Sequence, residues 1–99
     1  MSDSPATVAI LGQSYAILHD APSDDGAGEC YADSCLIRVN PAHAEASQRD
    51  TLLHEVCHAI DEAMQTGLRE RQIRLMATGL LCVLRANPSL VEYLTHADS

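Results

Sequence analysis

The chain has 99 residues, enough for one domain with a single modest core and no second lobe. Fourteen acidic against six basic residues leave a net charge of −8, which argues against nucleic acid and anionic membrane surfaces as partners, since both draw basic patches. There is no Phe and no Trp, so the expected core is aliphatic, built of Leu, Ile, Val, Ala and Met.

No run is long and apolar enough to span a membrane. Met1-Ser2-Asp3-Ser4-Pro5 lacks the basic and apolar regions of a signal peptide. The expected setting is cytoplasmic. Residues 1–6 and 96–99 are expected to be flexible ends of one domain covering residues 1–99.

Thr7–Leu11 predicts a first strand and Ser14–His19 a second, with Gly12-Gln13 as a turn or a bulge between them. One long bent strand is the alternative. Asp20–Gly28 has the Pro, Ser, Asp and Gly composition of a loop. It lacks the spaced oxygen ligands and closing glutamate of a calcium loop. Glu29–Tyr31 and Leu36–Val39 predict two more strands, the second halted by Asn40-Pro41. Ser47-Gln48-Arg49-Asp50 fits a helix start. The helix that follows runs to about Gln65, with Gly67 as its stop. Leu52, Leu53, Val56, Cys57, Ile60, Ala63 and Met64 give it an apolar stripe.

A second helix starts between Leu68 and Glu70 and runs to about Arg85. Ile73, Met76, Ala77, Leu80, Leu81 and Leu84 form its apolar face. Asn87-Pro88 stops it. Ser89 with Glu92 predicts the cap of a short closing helix. The fold class that follows is α+β: a small N-terminal sheet of three to four strands, antiparallel or mixed. It packs on the first helix, a second long helix and a short C-terminal one.

Four cysteines form no pair of Cys-x-x-Cys knuckles. Cys57 and Cys82 fall on apolar stripes and read as small buried hydrophobes. Cys30 and Cys35 bracket a turn and are expected to stay reduced in the cytoplasm. Zinc binding by that pair is a minor alternative.

The chemistry lies in the first helix. Residues 51–62 contain one His-Glu-x-x-His motif. Residues four apart share a helix face, so His54 and His58 point two imidazoles at one ion, a pairing that suits tetrahedral zinc. Glu55 lies at the edge of that face, placed to take a proton from a water that the metal activates. A catalytic zinc needs a third protein ligand. The candidates are Asp61, Glu62, Glu70, His43 and His19. Asp61 is roughly 10 Å from His54 along a straight helix axis and is better placed to support a ligand than to be one. Glu70 opens the next helix and reaches the ion if that helix folds back.

These residues carry a resemblance. Thr51-Leu-Leu-His-Glu-Val-Cys-His-Ala-Ile-Asp-Glu resembles the motif helix of small zinc peptidase-like proteins of phages and prophages, which are similar to the ImmA/IrrE-like metallopeptidases. The likeness takes in Leu36-Ile37-Arg38-Val39-Asn40, the second-helix start from Glu70 to Ala77, and Leu84-Arg85-Ala86-Asn87-Pro88. It covers roughly residues 29–94. The resemblance implies zinc, one ion per chain, on His54, His58 and Glu70. It also implies a gluzincin-like hydrolase with Glu55 as general base and a peptide or protein as substrate. Arg69-Glu70-Arg71 is less acidic than in those relatives. The alternative from a different class is a non-catalytic, zinc-stabilised module that binds a partner protein, since so small a domain gains stability from a metal. Tyr31 and Tyr93 are candidates for an oxyanion stabiliser.

Overall fold

The computed structural model describes residues 3–97. The chain enters β1 (Thr7–Ile10) and turns at once into β2 (Gln13–His19). The two pair antiparallel, with Ile10 opposite Gln13. The connection is two residues long. Leu11 and Gly12 both have positive φ, 47° and 87°, as a tight hairpin turn matching strand twist requires. The bent-strand alternative is thereby excluded. Residues 1, 2, 98 and 99 lie outside the described residues. Ala6, expected to be loose, accepts a hydrogen bond from the Ile17 amide at 2.9 Å.

A loop leads to β3 (Gly28–Tyr31), which turns into β4 (Leu36–Val39). β4 inserts between its hairpin partner and β2, giving the order β1-β2-β4-β3. It runs parallel to β2 and antiparallel to β3, so the sheet is mixed. The insertion explains why Ile37 and Val39 are fully buried: a central strand has neighbours on both sides as well as a helix above. It also leaves β3 at the edge of the sheet.

Helix α1 (Glu45–Met64) crosses one face of the sheet and packs on β3, β4 and β1. It begins earlier than the Ser47 pattern predicts. Ala44 is its cap and makes no side-chain bond; Ser47 is already inside the helix. At the other end Gln65, not Gly67, adopts the left-handed cap conformation, and its amide donates to the Asp61 carbonyl at 2.7 Å. Helix α2 (Glu70–Ala86) folds back against α1. Thr78 Oγ1 donates to Asp50 Oδ1 across the pair at 2.8 Å. Among the described elements, helix α3 (Pro88–Leu94) touches α2 alone. It starts with Pro88 in its first turn behind an Asn87 cap, so Ser89 is not the cap.

The core lies between sheet and α1. Ile10, Tyr15, Ile37, Val39 and Ala59 form it, with Val8, Cys30, Cys35, Leu52, Val56 and Ile60 packed around them. It is not purely aliphatic, because the Tyr15 ring fills part of it. Leu and Met are absent from its fully buried set. Leu75, Met76, Leu80, Leu90 and Leu94 are exposed on the outer helices, where one helix layer is left without a second cover. On α2 only Ile73 and Ala77 are buried, while Met76 and Leu80 face outward. Cys82 is likewise exposed rather than buried. Among the described residues no helix is long and apolar enough to cross a membrane.

Candidate metal centre

His54 and His58 stand one turn apart on α1, and their Nε2 atoms face each other at 3.1 Å. The carboxylate of Glu70 closes the group from the first turn of α2. Its Oε1 lies 2.7 Å from His54 Nε2 and its Oε2 2.6 Å from His58 Nε2. These three are the one group among the described residues whose ligand atoms converge closely enough to hold an ion. Nitrogen and oxygen ligands of a tetrahedral ion stand about 3.3 Å apart for bonds of about 2.0–2.1 Å. The donors here already lie within about 0.7 Å of that spacing, so the set fits a divalent metal.

The Glu70 side chain owes its place to the link between the helices. Thr66 Oγ1 donates to the Asp61 carboxylate and accepts from the Leu68 amide. The Gln72 side chain accepts from the Arg69 amide at 2.8 Å, which is half of a capping box and fixes the helix entry. Glu70 also sits where the helix dipole favours an acid. Asp61 thus lies outside the ligand group and shapes the turn that delivers Glu70. Glu62 is on the rim. His19 Nδ1 is hydrogen-bonded to Gln48 Oε1 at 3.0 Å, and His43 is exposed before the helix start. Neither belongs to the centre.

No family model matches the chain, and no curated protein or solved structure matches it significantly.

Glu55 is the unexpected member. It is buried against the sheet, 6 % exposed. Among the described residues its carboxylate accepts no hydrogen bond; His54 Nδ1 is the nearest imidazole nitrogen, 3.8 Å from Oε2. Burial pushes its pKa up, the two histidines pull it down, and Glu70 and Glu29 add to the rise. The carboxylate opens onto a cleft between α1 and β3, lined also by Cys30, Ala32, His58, Asp61 and Glu62, so its oxygens are not sealed from water. The Cys30 thiol in that wall has its pKa raised to about 11, first by burial and then by the charges of Glu55 and Glu62, so it stands there as a neutral group.

Spacing alone did not reveal what lets Glu55 sit so deep. Thr51, Glu55 and Ala59 form the most buried row of α1, and the strand beneath carries Gly28. A Cβ there would stand 2.5 Å from Thr51 Cγ2, 2.9 Å from the Arg38 carbonyl and 3.4 Å from Glu55 Cγ. The helix therefore rests on bare strand backbone. Gly28→Ala should cost about 1–3 kcal/mol, as overpacking does, read as a fall of several degrees in melting temperature. Adding Thr51→Ser, which removes the nearest methyl, should recover part of it. An unchanged melting temperature for Gly28→Ala would mean that α1 is not seated on β3 in this way.

The oxyanion candidates fare differently. Tyr31 lies at the end of β3 beside the cleft, but its hydroxyl donates to Glu29. Tyr93 is on α3, 80 % exposed, on a helix that does not touch α1.

Proposed function

We propose that the chain is a zinc-dependent metallopeptidase of the gluzincin type, similar in design to the ImmA/IrrE-like enzymes. The observation that carries this reading is Glu55, a buried carboxylate, free of hydrogen bonds, opening onto the cleft beside a two-histidine, one-carboxylate group. A purely structural metal has no use for such a residue, whereas a reaction that must move a proton does. The donor set suits zinc, and three protein ligands with no fourth among the described residues is the pattern of catalytic rather than structural sites.

When bound, zinc supplies the positive charge that polarises the scissile carbonyl and acidifies water. His54, His58 and Glu70 hold it. Glu55 takes the proton from the attacking water and passes it to the leaving nitrogen. β3 is an edge strand walling the same cleft. Its free edge can align an extended peptide by main-chain hydrogen bonds. The four free thiols suit a cytoplasmic setting.

A second reading has one observation in its favour. Met76, Leu80 and Val83 on α2, with Leu90, Tyr93 and Leu94 on α3, are exposed, as a zinc-stabilised module that binds a partner protein would need.

Purified protein should carry one zinc per chain, and a chelator should lower its melting temperature. The zinc-loaded form should cleave members of an unstructured peptide library. Absence of zinc after loading would remove both readings. Full loading with no cleavage across the library would favour the module.

A further inference from the structure

The two C-terminal helices are joined to the rest of the molecule along one seam. Among the described elements α2 packs on α1 and touches no strand, and α3 touches α2 alone. The core between the sheet and α1 takes side chains from β1, β2, β3, β4, the turn before β4 and α1, and none from α2 or α3. It is therefore complete without them. In return α2 buries only Ile73 and Ala77, and α3 buries nothing.

Few polar ties cross that seam. Among the described residues they are Thr78 to Asp50, an exposed hydrogen bond, and Glu70 to the imidazoles of His54 and His58. The Glu70 side chain is 59 % exposed, and exposed pairs of this kind hold weakly in water. Helices as short as α2 and α3 owe most of their stability to packing, and here the packing is slight. The connection between α1 and α2 contains Gly67 at φ 73°, with open space where a Cβ would stand, so nothing in the link itself resists a change of angle. The metal ligands straddle this seam, two on α1 and one on α2. An ion there binds the docked arrangement and not the open one.

We infer that a metal held by His54, His58 and Glu70 is the clasp that keeps α2 and α3 docked, and that without it these two helices open as a unit while the sheet and α1 stay folded. The inference rests on the metal site of the reading above and not on peptide cleavage.

Hydrogen exchange on the full chain tests it, zinc-loaded and chelated, with zinc measured on the same samples. With free zinc held at about 100 times its dissociation constant in the loaded sample, chelation should speed exchange along α2 and α3 by about ten- to hundredfold. β4 and the middle of α1 should remain protected in the zinc-free chain. Cysteine alkylation gives a second readout. Cys57 lies in the seam, in a pocket lined also by Ile60, Ile73 and Met76, and burial raises its pKa. It should label faster after chelation. Exposed Cys82 should label readily in both states, and Cys30, in the core packing, slowly in both. Loss of protection in β4 together with α2, or Cys30 accelerating with Cys57, would overturn the inference, because the chain would then open as one unit. Equal protection of α2 with and without zinc would overturn it as well. Those results in a chain that loads zinc would leave the metal site standing. A chain that takes up no zinc would lose both.

Discussion

Glu55→Gln should abolish peptide cleavage while leaving zinc content unchanged. The amide has the size of the carboxylate and keeps its seat above Gly28, but it cannot accept the proton of the attacking water. A positioned general base contributes about 10²–10⁴ in rate, so the residual activity should fall at or below that margin. Stability should move the other way. Burial raises the Glu55 pKa above its unfolded value, so the folded metal-free chain holds the proton more tightly than the unfolded one. Its contribution then declines as pH rises from the unfolded pKa through the folded one. Glutamine has no such proton to lose, so the metal-free variant should melt no lower than the native chain at neutral pH. Cleavage by both proteins at equal rates would show that Glu55 is not the base.

Glu70→Gln should weaken zinc binding by more than about a hundredfold, beyond what loss of a group supporting a ligand costs. Asp61→Asn should have the smaller effect. The Glu70 carboxylate meets both imidazoles at 2.6 and 2.7 Å and brings the only negative charge to the donor set. Asp61 is engaged with Thr66 and acts only through the turn. A second measurement separates metal from helix: Glu70→Gln also loses an acid at a helix start, worth about 0.3–1 kcal/mol. The metal-free variant should therefore melt only slightly lower, and the large loss should appear with zinc present. A competition titration in which Asp61→Asn loses the metal and Glu70→Gln keeps it would reverse the assignment.

Local pattern carried much of this design. The four strands, the three helices and the convergence of His54 and His58 follow from periodicity and turn chemistry, because those are properties of neighbouring residues. Placing β4 between β2 and β3 was not legible, since pairing order is decided by tertiary packing. Helix starts misled for a related reason: Ser47 and Ser89 have capping chemistry, but packing of α1 and the fixed φ of Pro88 set the boundaries instead. Met76, Leu80 and Cys82 lie on apolar stripes, yet α1 is too narrow to cover the whole face of α2. The depth of Glu55 was hidden because a glutamate reads as surface. The signal that would have found it is the row Thr51, Glu55, Ala59 taken with a glycine at the start of a strand.

The centre is assembled from two helices joined by a short turn, and this bears on time as well as affinity. His54 and His58 are fixed in the middle of α1, whereas Glu70 is the first residue of α2. Helix ends open more often than helix centres. Exit of a bound ion would therefore need only the first turn of α2 to lift, with the sheet and α1 undisturbed. Its residence time would then be governed by how often that turn opens, which would make the Asp61–Thr66–Leu68 turn a latch on the rate of metal exchange.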